Sequence, residues 1–511
     1  MDHRSENQKI DMMAKAERLE VELGRVPTVV DEYHALDPDD AAAVERSLLR
    51  KIDLRILPLV VIIYIFNYLD RNSITQARLY GLQKDTDVKG AVYQTAISIF
   101  SAGYIAMQLP STLLMTKLRP SLFLPICIIA WAVVSGCTAA TNSAAGLLTV
   151  RFFLGIIEAP FFPGAMYFLS CWYTPRELGV RMALLICGLL LSNSFAGLIS
   201  AGILSGMAGV GHLHAWRWLF ILEGTATVLL GLVAMLILPD YPGTTKWLSD
   251  KEKIVAQARL SKAAGTTEAL GDMETPFLKA VVWAAKDYRV WIFACLQMAT
   301  SACISYSHFF PTLIQGLGFK DNKTVLLLTS PPYLFAFCWA ISFAFHADRV
   351  QKRSPHAGIS YLMTICATIV MIALPFRYQW VRYALTFPIT AGVFGVYSTI
   401  YAWLSSTTTV PPVKRAAAMG IANSMSNLAA LYANYFWLDE YGPTYKVSWG
   451  ILLAFQGLGL TCVVALRLLL KRSNTKFDEL AARVGGEDNM EFARLDAEQQ
   501  NAVARGFRYI T

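Results

Sequence analysis

The sequence predicts an all-α membrane protein with twelve transmembrane helices in two six-helix bundles. The mean hydropathy is +0.42, and only 16% of the residues are charged. These values exclude an ordinary soluble enzyme and a disordered chain. Apolar stretches of about 20 residues, the length that crosses a bilayer core as a helix, occur repeatedly. Six of them precede a long polar interval and six follow it.

The apolar segments give the predicted order of the chain. The first six are 56–75, 92–115, 121–140, 144–168, 180–205 and 217–238. The second six are 289–313, 325–346, 357–376, 381–404, 416–437 and 448–470. We therefore predict an N-terminal bundle over 56–238 and a C-terminal bundle over 289–470. The central loop, 239–288, holds the charge-mixed helical stretch LSDKEKIVAQARLSKA, which cannot cross a membrane.

Basic residues beside the apolar segments predict the orientation. An even number of segments places the two tails, 1–55 and 471–511, on the same side of the membrane. Basic residues precede the first segment and lie at or beyond the end of the last one: Arg46, Arg50, Lys51, Arg55, Arg467, Lys471, Arg472 and Lys476. The positive-inside rule places such residues in the cytosol, whereas the short loops favour neither side. We predict that both tails and the central loop are cytosolic, with no cleavable signal peptide.

Several function classes lack their sequence signals. The net charge of +8 is spread beside apolar segments and forms no basic domain, so no nucleic-acid partner is predicted. The nine cysteines show neither zinc-ligand spacing nor a disulfide pattern, and we predict no metal and no cofactor. The sequence has no paired-His motif, no Gly-x-Ser-x-Gly motif and no phosphate-binding loop. An enzyme and an ATP-driven transporter are therefore not predicted.

The apolar stretch Leu148–Gly164 carries two charges. Arg151 and Glu158 are seven residues apart, about two helical turns, so they share one helix face. Gly155 lies between them and is expected to leave room beside the face. A charge at the bilayer centre costs ~2.5–3.5 kcal/mol and usually faces a bundle interior or a water-filled cavity. The pair predicts a polar track, although an ion pair that only fixes helix packing is the alternative.

A family resemblance rests on motifs that cover nearly the whole chain. They are YLDRNSI (68–74), YIAMQLPS (104–111), RFFLGIIEAPFFPG (151–164), CWYTPREL (171–178), AWRWLFILEG (215–224), LTSPPY (328–333) and FRYI (507–510). With these motifs the chain resembles the major facilitator superfamily, in particular the fungal allantoate-permease-like branch of the anion:cation symporter family. One motif departs from the family pattern. The loop after the second segment lacks the Gly and Asp of the superfamily signature, whereas His346-Ala347-Asp348-Arg349 follows the eighth.

The resemblance implies a proton-coupled symporter that imports a small organic anion. Members of the family move allantoate, nicotinate, pantothenate, biotin or cysteine, mostly with protons. Vitamin-type carboxylates are the expected substrate class. The implied partners are the organic anion, protons and the lipid bilayer, and the implied form is a monomer in the plasma membrane.

The resemblance also assigns roles to the buried charges. Asp70 and Arg71, at the predicted end of the first segment, match the proton-coupling and substrate-binding positions. A guanidinium suits a carboxylate because its planar fork binds both oxygens. Glu158 is expected to carry the proton, with Arg151 as the nearby cation that modulates it and contacts substrate. For Asp70 and Arg71 the alternative is a charged pair near the lipid headgroups.

Further polar residues complete the predicted substrate site. Tyr68 and Tyr104 match family substrate positions, although tyrosines also populate membrane interface belts. The predicted amide contacts, which could instead bridge helices, are Asn193, Asn423 and Asn427. His308 is expected to pack against its neighbours. Glu223 is expected to form a structural tie with Arg217 or a neighbouring helix.

Three other functions remain as alternatives. The first is an exporter of an acidic secondary metabolite, which would need the same central cavity. The second is a transport-inactive nutrient sensor, against which the short predicted tails argue. The third, an integral-membrane enzyme, has no motif in its favour.

Overall fold

The structure is a computed structural model that describes residues 33, 37–115, 118–265, 277–408, 412–484 and 508–509. Across these ranges the regular elements are helices, and no strand occurs among them. The predicted all-α fold is confirmed. Most of both predicted tails, part of the central loop and two residues of the loop after the second segment lie outside the described ranges.

The N-terminal part of the chain forms helices α1 to α9. Their bounds are α1 Pro38–Arg55, α2 Leu57–Ala77, α3 Leu82–Asp85, α4 Val92–Met115, α5 Pro120–Cys137, α6 Ala144–Glu158, α7 Phe161–Ser170, α8 Pro175–Gly206 and α9 Ala215–Ile237. We call α2 to α9 the N half. Helix α1 precedes it and packs against α10, in the central loop.

The remaining helices are α10 to α18. Their bounds are α10 Asp250–Gly265, α11 Phe277–Lys286, α12 Tyr288–Ile304, α13 Phe310–Gly316, α14 Asn322–Val350, α15 Ser354–Ala373, α16 Gln379–Thr407, α17 Pro412–Tyr432 and α18 Lys446–Val484. We call α12 to α18 the C half. A 3₁₀ turn, Ser305–Phe309, joins α12 to α13.

Ten helical stretches in the described chain are long and apolar enough to cross a membrane. The other two predicted segments, 92–115 and 416–437, are also helical. They form α4 and α17, which contact each other across the two halves. Their amides and hydroxyls therefore lie where the halves meet, and the count of twelve membrane crossings stays a prediction.

Local sequence explains where several helices begin. Proline occupies the first turn of α1, α2, α5, α8 and α15, where its missing N–H costs nothing. A capping box starts α8, because Thr174 and Glu177 satisfy each other's backbone N–H groups. Asp321 accepts from the backbone of Lys323 and Thr324 at the start of α14. These signals were readable in the sequence.

The two halves are joined at one end of the bundle. We call the end that carries α1 and the last turns of α18 the terminal end, and the opposite end the distal end. At the distal end one hydrophobic core contains residues of both halves. Towards the terminal end each half has a hydrophobic core of its own. The halves therefore share apolar packing at the distal end.

A close helix crossing contributes to this distal joint. Helix α8 of the N half packs on α14 of the C half. A Cβ atom at Gly197 would lie 2.2 Å from Thr329 Oγ1 and 2.5 Å from the Leu326 carbonyl oxygen, so only glycine fits. Ser194 and Ser330 exchange hydrogen bonds with each other's carbonyls across the same crossing. Further out, Arg78 of the N half pairs with Asp439 of the C half.

Candidate functional site

The predicted polar track in the N half is shaped by the crossing of α4 and α6. A Cβ atom at Gly155 would lie 2.1 Å from the Phe100 carbonyl oxygen, and one at Gly103 would lie 2.4 Å from that of Phe152. The two backbones therefore touch. The expected room beside Gly155 is absent, because Phe100 fills it. Gly155 allows α4 to approach closely and bring its aromatic side chains to the charges on α6.

The central feature of the site is an ion pair between α2 and α6. Arg71 Nε donates to Glu158 Oε1 over 2.8 Å, and a terminal nitrogen of Arg71 contacts the same oxygen. The Glu158 side chain is 1% exposed, whereas that of Arg71 is 19% exposed. The carboxylate is thus the buried partner of the pair, and Arg71 is the more exposed one.

Arg151 shares a helix face with Glu158 but forms no direct ion pair with it. Both of its terminal nitrogens donate to the backbone carbonyl of Arg71, over 3.1 Å and 3.2 Å. The direct partner of Glu158 is Arg71, from another helix, rather than Arg151. Helix periodicity placed Arg151 and Glu158 on one face, but it cannot say which neighbouring helix supplies the nearer cation. Arg151 holds the α2 backbone beside the ion pair.

Aromatic rings surround the Arg71 guanidinium. Its central carbon lies 4.6 Å from the ring centre of Tyr68, 4.8 Å from that of Phe100 and 5.2 Å from that of Tyr104. Such cation–π contacts stabilise a desolvated guanidinium by about 2 kcal/mol or more. The two predicted tyrosines lie together here. Phe100 was missed by the sequence analysis, since an apolar ring in an apolar segment carries no signal of its own.

Asp70 points away from Arg71. Successive residues of an α-helix differ in direction by about 100°, and α2 continues to Ala77, so neither residue ends the segment. The Asp70 Oδ2 atom accepts from Trp131 Nε1 over 3.2 Å and from Thr227 Oγ1 over 2.9 Å. Asp70 is therefore buried between helices of the N half rather than at a headgroup boundary.

The three predicted amide contacts occupy different places. Asn193 accepts from Asn72 over 2.8 Å, in a small pocket lined by both halves. Asn427 donates to Gln108 over 3.1 Å and so links α17 to α4. Asn423 accepts from Tyr401 of α16 over 3.2 Å. The amides are thus distributed over the boundary between the halves and do not form one cluster.

The C half adds residues that the sequence analysis missed. Tyr397 and Tyr401 stand one turn apart on α16, with ring centres 5.6 Å apart, and Tyr397 lies within electrostatic reach of Arg71. His308, expected to be packing only, is also within electrostatic reach of Arg71. A tyrosine pair four residues apart was the available signal, but its direction depends on how the two halves dock.

Outside the membrane segments, charges join helix ends of the C half. Asp287 caps α12 and pairs with Arg289 over 2.7 Å and with Lys414 of α17 over 2.8 Å. Burial acts to raise the pKa of Asp287, but the two cations outweigh it and lower the pKa to about 2. This network stabilises the terminal end of the C half. Within the described residues, no group of three or more His, Cys, Asp and Glu could hold a metal ion.

The family assignment follows from sequence comparison. The Major Facilitator Superfamily profile matches residues 60–434. The chain belongs to the Major Facilitator Superfamily. It is 30% identical over 492 residues to the MFS-type transporter cnsO of Penicillium expansum, covering 92% of each chain. It is 28% identical over 438 residues to the putative metabolite transport protein NicT of Pseudomonas putida, covering 84% of this chain and 96% of that protein.

The fold agrees with the family. The structure matches a D-xylose-proton symporter with a TM-score of 0.61 and 12% sequence identity, covering 81% of this chain and 97% of that chain. At this identity the match establishes the fold alone. The facilitator is a multi-pass integral membrane transporter and not an enzyme.

Proposed function

We propose that this facilitator is a proton-coupled symporter that imports a small organic anion, such as a vitamin-type carboxylate. The observation that carries the proposal is the buried Glu158 carboxylate behind a partly exposed Arg71. A carboxylate substrate would bind Arg71 through the planar fork of the guanidinium. It would then compete with Glu158 for the same cation.

This competition would couple the anion to a proton. Once the substrate carboxylate binds Arg71, Glu158 loses the cation that compensates its buried charge. Removing one partner of a buried ion pair costs about 3–5 kcal/mol. Protonation of Glu158 removes that cost, because the neutral acid needs no cation. Anion and proton therefore bind with positive coupling.

The surrounding residues favour an anion with a ring or apolar portion. Tyr68 and Tyr104 flank the guanidinium, and Tyr397 reaches the same region from the C half. Asn193, Asn423 and Asn427 would offer hydrogen bonds to polar groups of the substrate. We assign Asp70 to proton coupling together with Glu158. A nicotinate-, pantothenate- or allantoate-like molecule fits this combination.

The membrane setting completes the proposal. We place both termini in the cytosol, which makes the distal end external and the state seen here closed to the outside. We also assign the chain to the fungal allantoate-permease-like branch of the anion:cation symporter family, with two bundles over 56–238 and 289–470, acting as a monomer in the plasma membrane. The predicted motifs and basic flanks support these assignments.

Uptake by transporter-deficient yeast tests the function. Labelled nicotinate, pantothenate, biotin, allantoate, cysteine and aromatic acids would be offered in acidic and in weakly alkaline medium, with and without a protonophore. We expect one anion to accumulate in acidic medium and the protonophore to abolish its accumulation. Surface-located protein that takes up none of them would contradict import. Efflux from preloaded cells would then test the exporter alternative.

A further inference from the structure

Of the two environments expected for Glu223, the structure shows the contact with a neighbouring helix and not the pair with Arg217. Arg217 does not pair with it, because the Arg217 guanidinium donates to the Ala139 carbonyl and to Asn142. Glu223 is 6% exposed and contacts Ser73 on α2 through its Oε2 atom. Glu223 therefore lies inside the N half, in the interface between α2 and α9, rather than beside the Arg217 guanidinium.

Two acidic side chains share this interface. Asp70 and Ser73 are three residues apart on α2, and Glu223 and Thr227 are four residues apart on α9, so each pair shares a helix face. Thr227 contacts Asp70 and Ser73 contacts Glu223, as two helices running in opposite directions require. The two carboxyl groups thus stand about one turn apart along the same helix contact.

The hydrogen bonds of Ser73 indicate where a proton lies. Ser73 Oγ is 2.7 Å from the Leu69 carbonyl oxygen, which can only accept, and it also contacts Glu223 Oε2. A serine hydroxyl has one hydrogen to donate. If that hydrogen goes to Leu69, the hydrogen in the second contact comes from Glu223. In that case Glu223 Oε2–H donates to Ser73 Oγ, and Ser73 Oγ–H donates to the Leu69 carbonyl oxygen.

The charges around the pair agree with this assignment. From α2, Asp70 faces Glu223, and no cation of the described residues pairs with either one. Helix α5 contacts Asp70 through the uncharged indole of Trp131. The titratable groups of α5 are the thiols of Cys127 and Cys137. In the membrane part of α8 the titratable group is the Cys187 thiol. From α6, Glu158 adds negative charge near Asp70. Two buried carboxylates without a cation are strongly disfavoured, and neutralisation removes the cost.

We propose that Glu223 is a proton-binding site, protonated in this state, and that it forms with Asp70 a second carboxyl pair of the proton-coupling machinery. The inference rests on the proposed proton coupling and extends it beyond Glu158. It locates the second pair between α2 and α9, outside the substrate site. Because Asp70 precedes Arg71 directly, a charge change in this pair acts on the helix that carries the substrate-binding cation.

Infrared difference spectroscopy on the purified, full-length protein tests the proton directly and needs no substrate. The carbonyl stretch of protonated carboxyl groups would be compared at neutral pH between wild type and Glu223→Gln. We expect the variant to lose part of this band. An unchanged band means that Glu223 is ionised in the wild type and overturns the inference. Glu252→Gln, which removes a carboxyl paired with Lys51 outside the membrane, is the matched control.

Ser73→Ala keeps the Glu223 carboxyl and tests the direction of the hydrogen bond. If Glu223 donates to Ser73, the alanine removes its acceptor, and the band disappears at a lower pH than in wild type. If Ser73 donates to an ionised Glu223, the alanine removes a donor, and the band persists to a higher pH. The first outcome supports the inference, and the second contradicts it.

Transport separates this inference from the proposed function. If the wild type shows no proton-driven uptake, the symporter proposal is contradicted, whatever the infrared result. With a symporting wild type, we expect Glu223→Gln to abolish accumulation in acidic medium while substrate exchange across vesicles continues. Unchanged accumulation by a variant that lacks the infrared band would make the Glu223 proton structural and overturn its role in coupling.

Discussion

The N half and the C half treat buried charge differently. The membrane helices of the N half contain a compact set of charges, of which Asp70, Arg151, Glu158 and Glu223 are buried and Arg71 is partly exposed. The six predicted segments of the C half, from 289–313 to 448–470, hold no acidic residue, and the buried charges of the described C half lie at helix ends, as Asp287 and Arg382 do. The C half contributes tyrosines and amides instead. This division suggests that the N half binds ions and that the C half shapes the substrate space.

The largest effect should come from Arg71→Lys. Lysine keeps the charge but loses the planar fork that two carboxylate oxygens bind. Loss of a bidentate partner inside the bundle costs about 3–5 kcal/mol, or roughly 10²–10⁴-fold in binding. We expect undetectable uptake of the identified anion. Arg181→Lys is the control, because Arg181 binds Asp53 of α1 through two nitrogens at the terminal end. Equal losses in both variants would contradict a substrate role for Arg71.

Glu158→Gln should abolish accumulation but not binding. The amide cannot bind and release a proton, yet it leaves Arg71 available to the substrate. We expect loss of pH-driven accumulation with continued exchange of labelled for unlabelled substrate in vesicles. Accumulation against a gradient in this variant would show that coupling does not use Glu158.

Gly197→Ala should weaken the joint between the halves. The added Cβ meets the backbone of α14, and overpacking of this kind costs about 1–3 kcal/mol. We expect a lower melting temperature and slower uptake. The matched control is Gly202→Ala on the same helix, where a Cβ meets no atom within 4 Å. A smaller loss at Gly197 than at Gly202 would argue against the distal joint.

Asp287→Asn should affect stability without changing coupling. The pKa of Asp287 falls from 3.8 to about 2 on folding, so its stabilising effect is complete above pH 3.8 and is lost as the pH falls towards about 2. The shift corresponds to about 2 kcal/mol at neutral pH. We expect variant and wild type to differ in melting temperature at neutral pH and to converge in strong acid. Asp250→Asn, at an exposed pair with Lys253, should change little.

Tyr401→Phe should have the smallest effect. It removes one neutral hydrogen bond, to Asn423, which is worth about 0.5–1.5 kcal/mol. We expect a KM increase of roughly 2–10-fold, with an unchanged pH profile. A shifted pH profile would show that the C half takes part in proton coupling, and the division between the halves would fail.

The sequence by itself determined the helices, their caps, the polar central loop and the positions of the buried charges. These features depend on local hydropathy and on short-range capping, which neighbouring residues specify. Phe100, Tyr397 and Tyr401 could not be singled out in this way. They acquire their roles only because other helices bring a charge or an amide beside them.

The tertiary structure decided which charges meet. Arg71 pairs with Glu158, which lies 87 residues further along the chain. Asp70, the residue before Arg71, lies instead with Glu223 in the interface between α2 and α9. A helix pattern gives the face of each side chain but not the helix that packs on that face. That choice depends on close crossings, such as Gly155 against Phe100, and on the summed packing of the whole bundle.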